Sequence, residues 1–265
     1  MKTETMKIPK LRFQGFTNLW GNDTLNNLSN FSKGKGISKS DIEKDGETEC
    51  IRYGELYTLY NETIEKVFSK TNVARKELVF SESNDVIIPS SGETKIDIAK
   101  ASCLLIAGIA LGGDLNVIKT NLNGVFLTYY LNSQKKKEIA SLAQGNSVVH
   151  LYSHQLKGLT INFPEQHEQT KIASFLITVD KKLEALKKKK TLLEQYKKGV
   201  MQKIFSQELR FKDENGKDFR EWEERKFGEL GEIVTGKTPS TSNTDLWNGI
   251  IQFVTPTDIN ENKYQ

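Results

Sequence analysis

With 265 residues, 37% of them hydrophobic and 27% charged, the chain has the composition of a folded protein with room for one large domain or two modest ones, which excludes disorder of the whole. A net charge of +4 and a pI near 8.8 are compatible with a nucleic-acid partner but too mild to require one. Cys50 and Cys103 stand far apart and outside any CxxC or Cys/His cluster, which argues against a structural zinc site or a disulfide framework and for a reducing compartment.

The opening residues, MKTETMKIPKLRF, contain no apolar h-region, so no secretory signal is supported and a cytoplasmic location is expected. From about Leu25 to Phe163, short apolar or alternating runs separated by turn-forming clusters predict one mixed α/β domain. Strands are expected at 77–80, 85–89, 103–110 and 115–118, and helices at 125–132 and 134–143. The longest apolar run, CLLIAGIAL at 103–111, is far shorter than the ~20 residues a membrane-spanning helix needs, so no membrane partner is expected.

From Glu165 to Phe205 no Pro occurs and no Gly precedes Gly199, and an apolar period of seven appears. Ile172, Val179, Leu186, Leu193 and Val200 take position d, and Leu176, Leu183, Lys190, Lys197 and Ile204 take position a. Pro164 precedes the helix, where its fixed φ is tolerated. At ~1.5 Å per residue such a helix runs roughly 60 Å. A helix of that length overhangs a domain of this size, so its apolar seam calls for a partner helix. Lys190 and Lys197 interrupt the seam, and such interruptions commonly set register or partner choice. Ten lysines against five acids also make this helix a candidate for phosphate contact or for an acidic partner.

Beyond the helix the sequence repeats itself. Trp20, Leu28, Phe31, Gly34 and Lys35 recur as Trp222, Leu230, Ile233, Gly236 and Lys237 at a constant offset of 202 residues, and LRF at 11–13 recurs at 209–211. A second copy of the domain therefore begins near Leu209 and is expected to be incomplete at Gln265.

The segment GEIVTGKT, Gly231 to Thr238, satisfies the pattern of a phosphate-binding loop. REWEERKFGEL before it is too polar for the buried strand such a loop needs, Pro239 to Ser242 replace the start of its helix, and the first copy, LSNFSKGKG, lacks the pattern. The match is read as coincidence. His150, His154 and His167 have no carboxylate or Cys at metal-ligand spacing, and neither GxSxG nor a GxGxxG leading into a helix is present, so no catalytic residue and no metal site is expected. The loops around Lys33 and Lys35, Ser90, Ser91 and Thr94, and Gln144, Asn146 and Ser147, together with His150 and His154, supply small donors and cations suited to phosphates or base edges. The same residue types also suit plain turns and structural roles.

Taken together, DVIIPSSGET, AQGNSVVHLY, INFPEQHEQTKIASFLITVDKKLEAL and KKGVMQKIFSQELRF resemble the specificity subunits of type I restriction-modification enzymes. The most specific element is P-x-x-x-E-Q-x-x-I-x-x-x-L-x-x-x-D, present as Pro164, Glu168, Gln169, Ile172, Leu176 and Asp180. The resemblance implies an α+β chain: a mixed α/β target recognition domain (1–163), a long coiled-coil-type spacer and dimerisation helix (164–206), and an incomplete second target recognition domain (207–265). It implies a non-catalytic subunit without a cofactor of its own that reads double-stranded DNA. Modification subunits using S-adenosylmethionine would methylate adenine, and a restriction or motor subunit would cleave. In the family two long helices pack antiparallel between two recognition domains. Ile172, Leu176, Val179, Leu183, Leu186, Leu193, Val200 and Ile204 would here pair with a second copy of this chain or with a full specificity subunit, giving a reader of a symmetric bipartite site. The alternative from another class is an interaction protein that docks on modification subunits without specifying a sequence.

Overall fold

Residues 9, 11–247 and 249–256 are described by the computed structural model, and the chain divides into two units, Met1–Gln195 and Tyr196–Gln265. In the first unit the short apolar runs form twelve strands among the described residues. They are β1 (Gly21–Thr24), β2 (Ser29–Lys33), β3 (Thr48–Ile51), β4 (Thr63–Ile64), β5 (Ser69–Thr71), β6 (Val86–Pro89), β7 (Ser91–Gly92), β8 (Ser102–Leu104), β9 (Ala110–Leu111), β10 (Leu115–Thr120), β11 (Val149–His150) and β12 (Thr160–Phe163). The helices of this unit are α1 (Leu25–Leu28), α2 (Glu55–Thr58), α3 (Gly124–Tyr130), α4 (Lys136–Leu142), α5 (Ser153–Lys157) and the start of α6 (Gln166–Phe205).

The main sheet runs β2-β10-β6-β8-β4 and is antiparallel except for the β4–β8 pair. Its centre is apolar on both faces because strand side chains alternate. Val86, Ile88 and Ile118 enter one core with Phe126, Leu127 and Ile161, while Ile87, Leu115 and Val117 enter another with Ile51, Leu56 and Leu104. Each fully buried Ile or Leu contributes roughly 1.5–3 kcal/mol. A three-stranded sheet, β5-β3-β9, flanks this arrangement, and β1 pairs antiparallel with β12 from Gly21↔Phe163 to Thr24↔Thr160, which closes the two ends of the domain on each other.

The expected strands at 85–89 and 115–118 form as β6 and β10. The expected strand at 77–80 does not: the charged triplet Arg75–Glu77 makes a 3-10 turn, and only Phe80 bridges to Ala110. The run 103–110 is divided between β8 and β9, because Gly108 adopts φ +83°, a left-handed conformation that ends the ladder. The two expected helices are joined. Between α3 and α4 lies a π-turn, Leu131–Lys135, in which Asn132 clamps the backbone of Ala101, accepting from its N–H at 2.8 Å and donating to its carbonyl at 3.0 Å.

Helix α6 is 40 residues long. Its first turns are fastened to the domain by the residues of the Pro164–Asp180 pattern. Glu168 is fully buried and binds Arg12; Gln169 accepts from the Asn123 backbone N–H at 2.8 Å and donates to the Pro164 carbonyl at 2.8 Å; Ile172 packs on the first core; Asp180 accepts from the Tyr129 hydroxyl at 2.5 Å. Asn123 also caps α3 by accepting from Phe126 N–H at 3.0 Å, so helix start and helix arm share one residue. Beyond Asp180, Lys181 pairs with Glu65 at 2.9 Å and Glu184 accepts from Asn61 at 2.9 Å; residues 181–198 are otherwise exposed.

In the second unit Arg210 donates to Glu221 and to the carbonyls of Phe219 and Arg220, and the Phe205 ring meets Trp222 edge-on. Helix α7 (Phe227–Leu230) lies 202 residues after α1, so the repeat shows in local structure. Immediately before the phosphate-loop pattern at 231–238 stands α7 and not a strand, and residues 239–243 after it form no helix.

Candidate nucleic-acid interface

The turn between β9 and β10, Gly112-Gly113-Asp114, is the hub on which the candidate loops converge. On one side Gly34 N–H donates to Leu115 O at 3.0 Å and Lys35 N–H to Leu111 O at 2.8 Å. The two backbones come so close that a Cβ on Gly34 would stand 2.0 Å from Gly112 O, so only glycine fits. On the other side Ser90 N–H donates to Asp114 O at 2.8 Å and the Ser91 hydroxyl to Asp114 Oδ1 at 3.2 Å. Ser91 pairs with His150 in the β7–β11 ladder, and its Oγ lies 3.2 Å from His150 Nδ1. Tyr57 closes the group by donating to Ser91 O at 2.8 Å. Burial first, then Tyr53 and the charges of Asp97, Glu93 and Asp114, raise the Tyr57 phenol above its ordinary value, so it is a donor and not a phenolate. Beside the hub, Ser38, Lys39, Asp41, Arg52, Tyr53 and Asp114 line a cavity.

Lys33 and Lys35 are exposed at the end of β2 and in the turn after it. Asn146 and Ser147 are exposed on the loop that leaves Gly145 at φ +114° and returns to β11, and Gln144 and His150 close that loop by exchanging backbone bonds of 2.9 and 2.7 Å. His154, Tyr152 and His150 stack in sequence, with ring centroids 5.7 and 6.2 Å apart and planes within 14° and 23°. Two candidates fall away from this face. Ser90 is only 3% exposed, so its side chain supports the face from behind and is out of a ligand's reach. Thr94 caps a separate turn, where its Oγ1 accepts from Asp97 N–H at 3.2 Å.

Sequence reasoning missed Asp114, Arg52, Tyr53, Tyr57 and Tyr152. The Gly-Gly-Asp turn after an apolar run was a readable signal for 112–114. Tyr57 carried none, since its place depends on a bond to distant Ser91, whereas Tyr152 stacks between His150 and His154, its neighbours two residues either side.

Along α6, Ile172 packs on its own domain and Leu176 lines an apolar groove with Phe13, Trp20 and Phe175. Val179, Leu183, Leu186 and Leu193 are exposed, Leu193 at 56%, and Val200 and Ile204 are half-buried. Among the described residues no group of three or more His, Cys, Asp or Glu side chains is placed to hold a metal, and no helix is long and apolar enough to cross a membrane.

The first unit thus brings segments distant in sequence together at the 112–114 turn and fastens the first turns of the long helix. The chain belongs to the type I restriction modification DNA specificity domain family, whose profile matches residues 18–195. It is 36% identical over 61 residues to the type I restriction enzyme MjaIX specificity subunit of Methanocaldococcus jannaschii, a stretch covering 23% of this chain and 14% of that protein. The crystal structure of the S subunit of the type I restriction-modification system from M. genitalium matches with a TM-score of 0.53 at 22% identity over 79% of this chain and 50% of that one. A chain from a structure addressing complex assembly and conformational transition of the type I R-M system matches with a TM-score of 0.53 at 16% identity, over 74% of this chain and 47% of that one. At such identities the likeness is one of fold, and the chain spans about half the length of these solved relatives.

Proposed function

We propose that this chain is a sequence-reading, non-catalytic element of a type I restriction-modification complex: it binds duplex DNA, and separate modification and restriction subunits carry the chemistry. The observation that carries this reading, given the family, is that the turn after β2, which bears Lys35, and strand β7, which bears Ser91 and pairs with the His150 strand β11, are both bonded to the Gly112–Asp114 turn. Short loops locked by backbone bonds present base-reading side chains at little entropic cost, and the two lysines add phosphate contacts. S-adenosylmethionine would be bound by the modification subunits, with adenine as the methylated base.

The exposed seam from Val179 to Leu193 supports pairing of α6 with a second copy of the chain, which would present two identical reading faces to a symmetric bipartite site. The same seam favours the second reading, a docking protein without sequence choice, because it stands apart from the loops. Methylome mapping of cells carrying this chain with its modification subunits separates the two: one symmetric motif supports the reader, and methylation without a new motif supports the docking protein.

A further inference from the structure

The contacts of Ser91 determine more than its own position. Its single hydroxyl proton goes to Asp114 Oδ1 at 3.2 Å, because a carboxylate only accepts. Ser91 Oγ therefore meets His150 Nδ1, also at 3.2 Å, with a lone pair, and a hydrogen bond there requires the proton to sit on Nδ1. In the neutral ring the other nitrogen, Nε2, is then an acceptor, and no side chain or backbone group among the described residues is bonded to it.

The ring is also held in place. The backbone of His150 is fixed on one edge by Gln144 and on the other by the Ser91 ladder pair, and its plane lies within 23° of Tyr152, which itself stacks on His154. Ser91 is in turn fixed through its carbonyl by Tyr57. A half-buried imidazole so constrained offers one lone pair in one direction.

We propose that Ser91 and Asp114 hold His150 as the Nδ1–H tautomer, so that Nε2 reads an exocyclic amino group of a DNA base: adenine N6 or cytosine N4 in the major groove. This rests on the reading of the face as a DNA interface. In the major groove those two amino groups are the donors, whereas guanine and thymine present only acceptors to such a nitrogen. Ser91 and Asp114 are positioning residues and His150 is the reader. Asp114→Asn tests the relay chemically: an amide can donate to Ser91 Oγ, which frees the Ser91 proton to turn toward His150 Nδ1 and makes Nε2 the N–H donor. The preferred base then changes from one that offers an amino group to one that offers an acceptor.

The experiment has two arms. Nitrogen-15 spectra of the histidines in the full chain report the tautomer without DNA, with Nδ1–H expected for His150, and an Nε2–H ring in the unmodified protein overturns the proposal whatever the DNA arm shows. In the second arm, selection from randomised duplexes by the assembled complex reads base preference. His150→Ala and Ser91→Ala are expected to relax preference at one position by about five- to tenfold, the worth of one hydrogen bond, leaving the other positions intact. Ser91→Thr keeps the hydroxyl and should restore preference, and Asp114→Asn should move it toward guanine or thymine. If Lys33→Ala/Lys35→Ala weakens DNA binding while no His150 or Ser91 variant changes preference, the face binds DNA but His150 is not its reader. If neither set of variants alters DNA binding, the interface reading itself fails, and the assignment of His150 fails with it.

Discussion

The guanidinium of Arg12 lies fork to fork on the carboxylate of Glu168, Nε to Oε1 at 2.7 Å and Nη2 to Oε2 at 2.5 Å, and so ties the segment before β1 to the first turn of the long helix. The hydrogen bond to Glu168, with its charge, raises the Arg12 pKa, and Glu168 is fully buried. Removing either partner is expected to lower the Tm by several degrees. The double variant Arg12→Ala/Glu168→Ala should lose less than the sum of the single variants, because each single change leaves the other group without its partner. A thermal-denaturation cycle measures this, and additive losses would show that the pair does not act as a unit.

Gln169 is the second fastening. Its replacement by Ala leaves the Asn123 N–H and the Pro164 carbonyl without their bonds, so Gln169→Ala should cost about 1–3 kcal/mol in urea unfolding. Gln169→Glu keeps the acceptor and loses the donor, and its stability should fall between those of the native chain and the alanine variant.

Both thiols are fully buried, and burial pushes Cys50 up to about 11 and Cys103 up to about 12. Their folded pKa values are raised, so the folded state holds protons that the unfolded chain gives up. The thiols' contribution is therefore complete below an unfolded value of about 8.5 and is lost as pH rises through the folded values. Stability should decline from about pH 9 upward on this account. Alkylation at pH 8 should leave both cysteines unmodified in the native chain and modify both in denaturant; rapid native labelling of either would contradict their burial.

Leu183 and Leu193 are exposed seam positions, 48% and 56% accessible. Leu183→Glu/Leu193→Glu is expected to abolish self-association with little change in Tm, as read by light scattering and calorimetry. A self-associating double variant would move the interface elsewhere.

Lys33→Ala and Lys35→Ala should each weaken DNA binding across all sequences and reduce the slope of log affinity against log salt by about one. A change confined to one base position would instead mark the lysine as a base reader.

The seven-residue period, Pro164 and the absence of Pro made α6 legible in the sequence from end to end, and the apolar runs made β6 and β10 legible, because helix periodicity and strand burial are local properties of residue order. The pattern Pro164–Asp180 was visible as a string, but its meaning was not: Glu168, Gln169 and Asp180 are there to meet Arg12, Asn123 and Tyr129, 46 to 156 residues away in the chain. Tyr57 escaped notice for the same reason, its partner Ser91 standing in a distant segment.

The duplication separates what each level decided. Order of residues alone makes the same short helix twice, Leu25–Leu28 and Phe227–Leu230. The segments after those two helices differ. Residues 29–33 become β2 because β10 pairs with them from Thr120↔Ser29 to Asn116↔Lys33, whereas 231–235 stay irregular, with no strand alongside them among the described residues. A helical turn satisfies its backbone within itself, and a strand must be completed by another. Residue order thus determined the helices, the repeat, the apolar seam and the buried runs of β6 and β10, while the pairing of the strands, and the meeting of the Lys35 turn and the Ser91–His150 strand pair at the 112–114 turn, were decided only when distant segments came together.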